Sequence, residues 1–502
     1  MKKAILCAAA LMFGTMAFAQ VSGTPFNGDV VPTATLVPAL PGAPATANTG
    51  LSIQNGDDNK VRVRQAGTSQ SVYSFQENGA GVGGNLARVM QTGAVQAASG
   101  VENATDVLQS GSYNQSTTVQ EGDYNNATTR QGQKEDGANF NRAKIRQGTG
   151  QQAEGNHAVI DQDGFFNQAS TLQIYDNSDA WTIQEGNENK SMIVQDAGPN
   201  GSDGHEALVE QYGLRNESSV NQSSAGARNI ATALQQGDDN AAKQLQTSHA
   251  GSGMTGNRAG LMQGLADYDY SRISLVDDFL GDIYGNTIDA NADDIYGSIV
   301  PFSLGAVAFQ IQNGKENEAD MLQFGGSVGA SNYGEQVQAS GWGNEAAMAQ
   351  GHYYTGESSN YGKQYQAGDN NEADLGQSGS GMKASQSQIG HRNDAWSNQR
   401  GENHLLNVNQ RGNDNAATTV QAGSANVALL TQRGGQSYSI EQNMDLGQFD
   451  RSAGANQADI LQLGPSGDFN ADYIDCDFDD PMDPTMDYTV PGFDLGDVCP
   501  DC

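Results

Sequence analysis

Glutamine returns every 11 residues through long stretches of this chain, and no other feature restricts the fold as tightly. The interval joins Gln54, Gln65 and Gln76, then Gln109, Gln120 and Gln131, then Gln162, Gln173, Gln184 and Gln195. It also runs unbroken through Gln366, Gln377, Gln388, Gln399, Gln410, Gln421 and Gln432. Other residue types keep step with it. Gln410, Gly412, Asn415, Ala417 and Gln421 form one unit, and Gln421, Gly423, Asn426, Ala428 and Gln432 the next. The consensus is Q-x-G-x-x-N-x-A-x-x-x-Q, between Gln54 and about residue 467. A fixed period of this kind marks stacked units that bury their faces only against one another.

Where the interval stretches, half of the motif stays rigid. The step from Asn to Gln is six residues at Asn141–Gln147, Asn156–Gln162, Asn257–Gln263 and Asn456–Gln462. The added residues precede the Asn. Loops accept length at small entropic cost, whereas a position inside a ladder does not. N-x-A-x-x-x-Q is therefore the structural element, and x-G-x-x is a turn.

A period of 11 also suits a right-handed helical coiled coil. A glycine in every unit would cost such a helix about 1 kcal/mol each. Alternation within the unit points to a strand instead. Asn371, Ala373, Leu375 and Gln377 fall on one face, as do Asn141, Ala143, Ile145 and Gln147. Arg142, Lys144 and Arg146 fall between the latter set. Small, aliphatic and amide side chains thus point one way and charge points the other. Each unit reads as a strand of about seven residues followed by a turn in which Gly supplies positive φ. The turn glycines are Gly111, Gly122, Gly186, Gly368, Gly390, Gly412 and Gly423.

Two units make one strand-turn-strand coil. Coils stacked at about 4.8 Å place Gln on Gln and Asn on Asn. A primary amide has two donors and an acceptor oxygen, so it can bond to the copies above and below. Buried polar groups are costly only when unpaired. The expected fold is all-β, a cross-β-like β-solenoid with Gln/Asn ladders. This answers a composition that would otherwise suggest disorder, with 36% apolar residues and a formal net charge of −34 over 502 residues.

The same composition narrows the function. Nucleic acid binding requires a basic face, and runs such as Lys60 to Arg64 read as one side of a strand. Nucleic acid is not an expected partner. Lys2 and Lys3, the mostly apolar Ile5 to Phe18 and the Ala17-Phe18-Ala19 site read as a secretory leader over residues 1–19. No later stretch is long and apolar enough for a helical membrane span. The six histidines, His157, His205, His249, His352, His391 and His404, read as scattered over turns and outward positions without ligand spacing. Neither a metal nor another cofactor is expected. No nucleophile elbow, phosphate loop or dinucleotide fingerprint appears in a suitable context, so no catalytic residue is assigned.

The repeat resembles the curlin repeat of curli-type bacterial amyloid fibres. That family has an inward Ser or Asn, a Gln, a turn Gly, an Asn, an Ala and a further Gln in paired strands. The resemblance covers Gln54 to about Gly467 apart from one insert. It implies a stacking ladder formed by Gln54, Asn59, Gln65, Gln109, Asn114, Gln120, Asn125, Gln131, Gln184, Asn189 and Gln195. Further along, it adds Gln366, Asn371, Gln377, Gln388, Asn393, Gln399, Gln410, Asn415, Gln421, Asn426 and Gln432. It also implies export through an outer-membrane pore, polymerisation with itself and with other curlin-like subunits at the cell surface, and a role in adhesion and biofilm matrix. The chain departs from the family in its length, its lengthened turns, its central insert and its cysteine-bearing tail.

The expected order is a leader (1–19), a Pro-rich linker (20–50), repeats (51–263), an acidic and aromatic insert (264–305), repeats (306–467) and an acidic tail (468–502). The insert holds Tyr268, Tyr270, Phe279, Tyr284, Tyr296 and Phe302 among many Asp residues. In the tail, Cys476, Cys499 and Cys502 can form a disulfide in an exported protein, leaving one thiol over. Asp475, Asp477, Asp479 and Asp480 lack the spacing of a Ca²⁺ loop and read as solvated charge.

Three function classes follow. The first is a structural fibre subunit or nucleator. Each end of a solenoid is an open strand edge, and identical ladders at both ends favour stacking without closure. The second is a monomeric secreted solenoid that binds polysaccharide, ice or another surface ligand, marked by flat aromatic or threonine rows. The third is an enzyme of the β-helix lyase type, for which a two-stranded coil leaves little room. The sequence favours the first, and no enzyme is expected.

Overall fold

The computed structural model describes Ala34, Val37 and residues 46–463, apart from 79–82, 94–99, 133–137, 150–152, 200–202, 252, 265–302, 326–330, 352–357, 443, 446–447 and 450–454. The proposed leader, most of the linker and insert, and the tail with its three cysteines lie outside the described residues.

Successive repeats alternate between two parallel sheets that face each other, which makes the chain a β-solenoid. Strand Asp179–Asn187 of sheet 1 pairs with His157–Phe165 on one side and Glu206–Leu214 on the other. Strand Lys190–Asp196 of sheet 2 pairs with Gln168–Ile174 and Glu217–Ala225. Every such pairing sets Gln against Gln, as in Gln162↔Gln184↔Gln211 and Gln173↔Gln195↔Gln222. Register is fixed because a slip of one residue would turn the whole inward set outward.

Alternation places the core between the sheets. One patch consists of Ala180, Ile193, Ala207, Val209, Val220, Ala231 and Ala233, all buried. A longer one runs from Ala242 and Leu261 through Met321, Met348, Leu375 and Leu406 to Ile440. Volumes compensate across the gap. Met321 and Met348 lie beside Gly334 and Gly362, where an added Cβ would stand 2.4 and 2.8 Å from the sulfur atoms.

The solenoid is continuous past the insert. Strand Ala241–Gly251 pairs with Val307–Gly314, and Thr255–Gln263 with Glu318–Gln323. The insert is also shorter than the expected 264–305. The amide of Gly264 donates to the Gln323 carbonyl. Ser303–Leu304 pairs with Gly237–Asp238, and the Gly305 amide donates to the Asp238 carbonyl. Likewise the linker ends before residue 50, because the first strand is Thr49–Asn55. Ahead of it, the Val37 amide donates to Ser71 Oγ at 2.7 Å.

Many of the described turns hold two left-handed residues. One is the expected glycine, with φ of 98° at Gly111, 131° at Gly122, 112° at Gly186 and Gly368, 130° at Gly390, 96° at Gly412 and 90° at Gly423. At Gly186 a Cβ would also sit 2.1 Å from the Gly213 carbonyl oxygen, so close stacking demands glycine as strongly as the dihedral does. The second is the residue before Asn. It is not glycine at Tyr113, Phe140, Phe166, Glu188, Arg215 or Asp239, where φ lies between 54° and 60°.

Candidate functional site: the amide columns and the terminal rungs

The glutamines form two unbroken columns, one in each sheet. In sheet 1 the column runs from Gln54 through Gln109, Gln131, Gln184, Gln377, Gln399 and Gln421 to Gln442, with each side chain donating to the next at 2.7–3.0 Å. In sheet 2 it runs from Gln65 through Gln120, Gln195, Gln366, Gln388, Gln410 and Gln432 to Gln462, at 2.9–3.0 Å. The second amide hydrogen crosses to the facing sheet. Gln184 Nε2 donates to Gln211 Oε1 at 2.7 Å and to the Gln168 carbonyl at 3.1 Å. Gln195 Nε2 reaches Gln222 Oε1 and the Asp179 carbonyl. One amide thus binds its coil to the next and clamps the two sheets together.

The asparagines fasten the turns. Asn189 Oδ1 accepts the Asn216 backbone N–H at 3.0 Å, while Asn189 Nδ2 donates to the Gly213 carbonyl at 3.0 Å. Asn114, Asn125, Asn371, Asn393 and Asn415 likewise accept the backbone N–H of the residue in the same place one coil on. So does Asn426, from Asn456. The ladder residues named from the sequence are at most 2% exposed, except on the first rung. There Gln54 is exposed and Asn59 and Gln65 are half-buried.

Two features escaped the sequence reading. Gln244, Gln310, Gln336, Gln364 and Gln386 form a third, shorter column deeper in the core, each donating to the next at 2.9–3.0 Å. The signal was Q-x-Q, since each stands two residues before a column glutamine. The histidine reading is corrected at two positions. His205 and His404 are buried and occupy the asparagine column, not a turn or an outward face. Their Nδ1 atoms accept the backbone N–H of Asn229 and Asn426, both at 3.2 Å. His205 Nε2 donates to the Asp196 carbonyl at 3.0 Å. Burial lowers the His205 pKa to about 4, partly opposed by that bond, and also lowers that of His404.

The terminal rungs differ from all others. Among the described residues, Thr49–Asn55 and Lys60–Gln65 pair on one side only. The same holds for Ser437–Gln442 and Gln457–Leu463 at the other end. Large apolar side chains are exposed there: Leu51 and Val63 on the first rung, Tyr438 and Leu461 on the last.

Aromatic side chains line one corner. Tyr113, Phe140 and Phe166 stack with centroids 4.8 and 5.0 Å apart and planes within 9° of parallel. Tyr333 and Tyr361 stack in the same way at 5.1 Å. The inner ring faces are covered by neighbouring rings, so these rows present mainly edges. A cleft of about 590 Å³ beside Phe166 is lined by Glu188, Lys190, Arg215, Glu217 and Asp239. Its Lys190–Glu217 and Arg215–Asp239 pairs, each 2.6 Å, already neutralise one another.

Searches against protein-family models and against curated proteins find no match to this chain.

Proposed function

We propose that this protein is a structural subunit or nucleator of an extracellular curli-like amyloid fibre, acting in adhesion and biofilm matrix. The observation that carries the reading is the pair of end rungs, which among the described residues are unpaired on their outer sides and complementary to each other. All column glutamines donate in one direction. Among the described residues nothing donates to Oε1 of Gln54 or Gln65, while Gln442 and Gln462 each donate only once, to a backbone carbonyl. A second copy stacked head to tail would continue both columns. In that register Tyr438 falls opposite Gly50 and Asp459 opposite Arg62, matching bulk to space and charge to charge. Secretion, an outer-membrane pore and other curlin-like subunits as partners belong to the same proposal.

The test is seeded growth of the purified protein, followed by fibre diffraction. Reflections near 4.7 and 10 Å support the reading. Arg62→Asp slows elongation, and adding Asp459→Arg to the same chain restores it. A protein that remains monomeric for days at high concentration overturns the reading. Glycan binding by that monomer would point to a surface-binding module, for which the Phe166 cleft is the site to examine.

A further inference from the structure

Four neighbouring strands of sheet 2 gather positive charge on their outer face. Lys60–Gln65 pairs with Leu86–Thr92, that strand with Gln115–Asp123, and Gln115–Asp123 with Arg142–Gln147. Their register aligns three outward columns. The first holds Lys60, Leu86, Gln115 and Arg142, the second Arg62, Arg88, Thr117 and Lys144, and the third Arg64, Met90, Val119 and Arg146. Seven of these twelve positions are Lys or Arg and none is Asp or Glu, in a chain with 25 basic and 59 acidic residues. Lys60, Arg62, Arg64, Arg88 and Arg142 are exposed, and Lys144 and Arg146 are half-buried.

Elsewhere on the solenoid, cations often meet an acid on the next rung. Lys190 and Lys363, on the same face, reach Glu217 and Glu335 at 2.6 and 3.2 Å. Arg258 on sheet 1 reaches Glu318 at 3.3 Å. Within the patch Arg146 reaches Glu121 at 3.4 Å. Among the described residues, however, no carboxylate pairs with the five exposed cations. Arg62 even stands directly opposite Arg88, and like charges in that position destabilise a sheet. An acidic chain that keeps such a face unneutralised leaves it open to an anion from outside.

We propose that this face binds a linear polysaccharide that carries carboxylates, of the uronic-acid class. A guanidinium takes a carboxylate through two parallel hydrogen bonds, and Gln115 and Thr117 lie between the cations to meet hydroxyls. The patch is flat and measures about 14 by 13 Å at the rung and residue spacings of a sheet. None of its twelve positions is aromatic, so it offers no platform for stacking bases. Duplex DNA carries one charge per ~1.7 Å and would run off the patch onto a molecule of formal net charge −34. A uronate chain spaces its charges more widely, with neutral hydroxyls between them. The proposal concerns the monomer and stands apart from the fibre reading.

The test is binding of monomeric full-length protein to immobilised polygalacturonate, followed by biolayer interferometry. We expect binding at low salt that fades as salt screens the contacts. Arg88→Gln with Arg142→Gln should weaken it several-fold, with the β-type circular dichroism kept. Arg215→Gln with Arg392→Gln removes the same charge from the corners of the solenoid and should leave binding unchanged. Arg62 is spared because it faces Asp459 in the proposed stacking, so the outcome does not depend on whether fibres form. If the first pair does not fold, Lys60→Gln with Arg64→Gln should show the same loss. Equal weakening by the patch and corner pairs overturns the proposal. So does an absence of binding at low salt, or equal binding to neutral dextran. Tighter binding to duplex DNA or to phosphatidylglycerol vesicles than to polygalacturonate also overturns it, and assigns the face to phosphate.

Discussion

Replacing one inner column glutamine by leucine separates the hydrogen-bonding role of the column from its volume. Gln184→Leu keeps the bulk of a side chain that is 0% exposed, so little cavity forms. It removes the bonds from Gln162 Nε2 at 2.7 Å, to Gln211 Oε1 at 2.7 Å and to the Gln168 carbonyl at 3.1 Å. Gln162 then holds one amide hydrogen without a partner, and Gln211 Oε1 loses its donor. A buried polar atom left unmade costs about 1–3 kcal/mol, so two give about 2–6 kcal/mol. Gln54→Leu on the first rung is the contrast. It removes one bond, to Gln76 Oε1 at 2.9 Å, from an exposed residue, for about 0.5–1.5 kcal/mol. The measurement is hydrogen exchange of each variant monomer, because a stack of repeats opens locally and lacks a single unfolding energy. Protection should fall around Gln162 to Gln211 in the first variant and only at the first rung in the second. Equal effects at the two positions would refute the claim that paired amides hold the coils together.

The histidines predict an acid limb in stability. His205 accepts an N–H at Nδ1 and so must be neutral when folded. Its pKa is lowered to about 4 from 6.5. The unfolded chain therefore takes up the proton first, and stability falls as pH drops from about 6.5 through about 4. The loss amounts to about 3 kcal/mol at 1.36 kcal/mol per unit. His205→Asn restores the column residue and should flatten this slope in urea titrations at pH 7, 5 and 4. The stacked carboxylates of Glu345, Glu372 and Asp394 act oppositely. Burial first, and for the two glutamates like-charged neighbours as well, raise their pKa values. The stability they contribute is present below their unfolded values and is lost as pH rises through the folded ones. Glu372→Gln should therefore raise the urea midpoint at pH 7 more than at pH 4. Gly186→Ala combines a φ of 112° with a Cβ 2.1 Å from a backbone oxygen. It should cost about 1–3 kcal/mol, whereas Gly251→Ala, with nothing within 4 Å, should leave the urea midpoint nearly unchanged.

The columns were legible because their residues keep fixed offsets that tolerate no insertion. The six-residue step from Asn to Gln also locates His205 and His404, which stand six residues before Gln211 and Gln410. Reading histidine by residue type obscured this, because a neutral imidazole can take over the acceptor role of Asn Oδ1. The third column was hidden because Gln244 and its successors stand where other coils hold Ile145, Ile193 or Leu430, and alternation alone allows either. The second left-handed residue could not be read at all. Tyr113, Glu188 and Arg215 share no side-chain property. Their backbone is bent because the next residue, Asn, must reach carbonyls before it and one coil on, as Asn189 does with Glu185 and Gly213.

The direction of the columns follows from elementary chemistry. A primary amide has its donors on one atom and its acceptor on another. Once one glutamine points its nitrogen toward the next coil, that neighbour's Oε1 is engaged and its own nitrogen must turn onward. Each column therefore fixes a single polarity from Gln54 to Gln442 and from Gln65 to Gln462. The two ends of the described columns are consequently unlike, with acceptors at one and donors at the other. Head-to-head contact would set acceptor against acceptor, and tail-to-tail contact donor against donor. Under the fibre reading only head-to-tail addition satisfies both columns, so growth has a direction before shape or surface charge is considered. Inverting that polarity would require every amide in a column to flip together, and no single substitution at an end can do this.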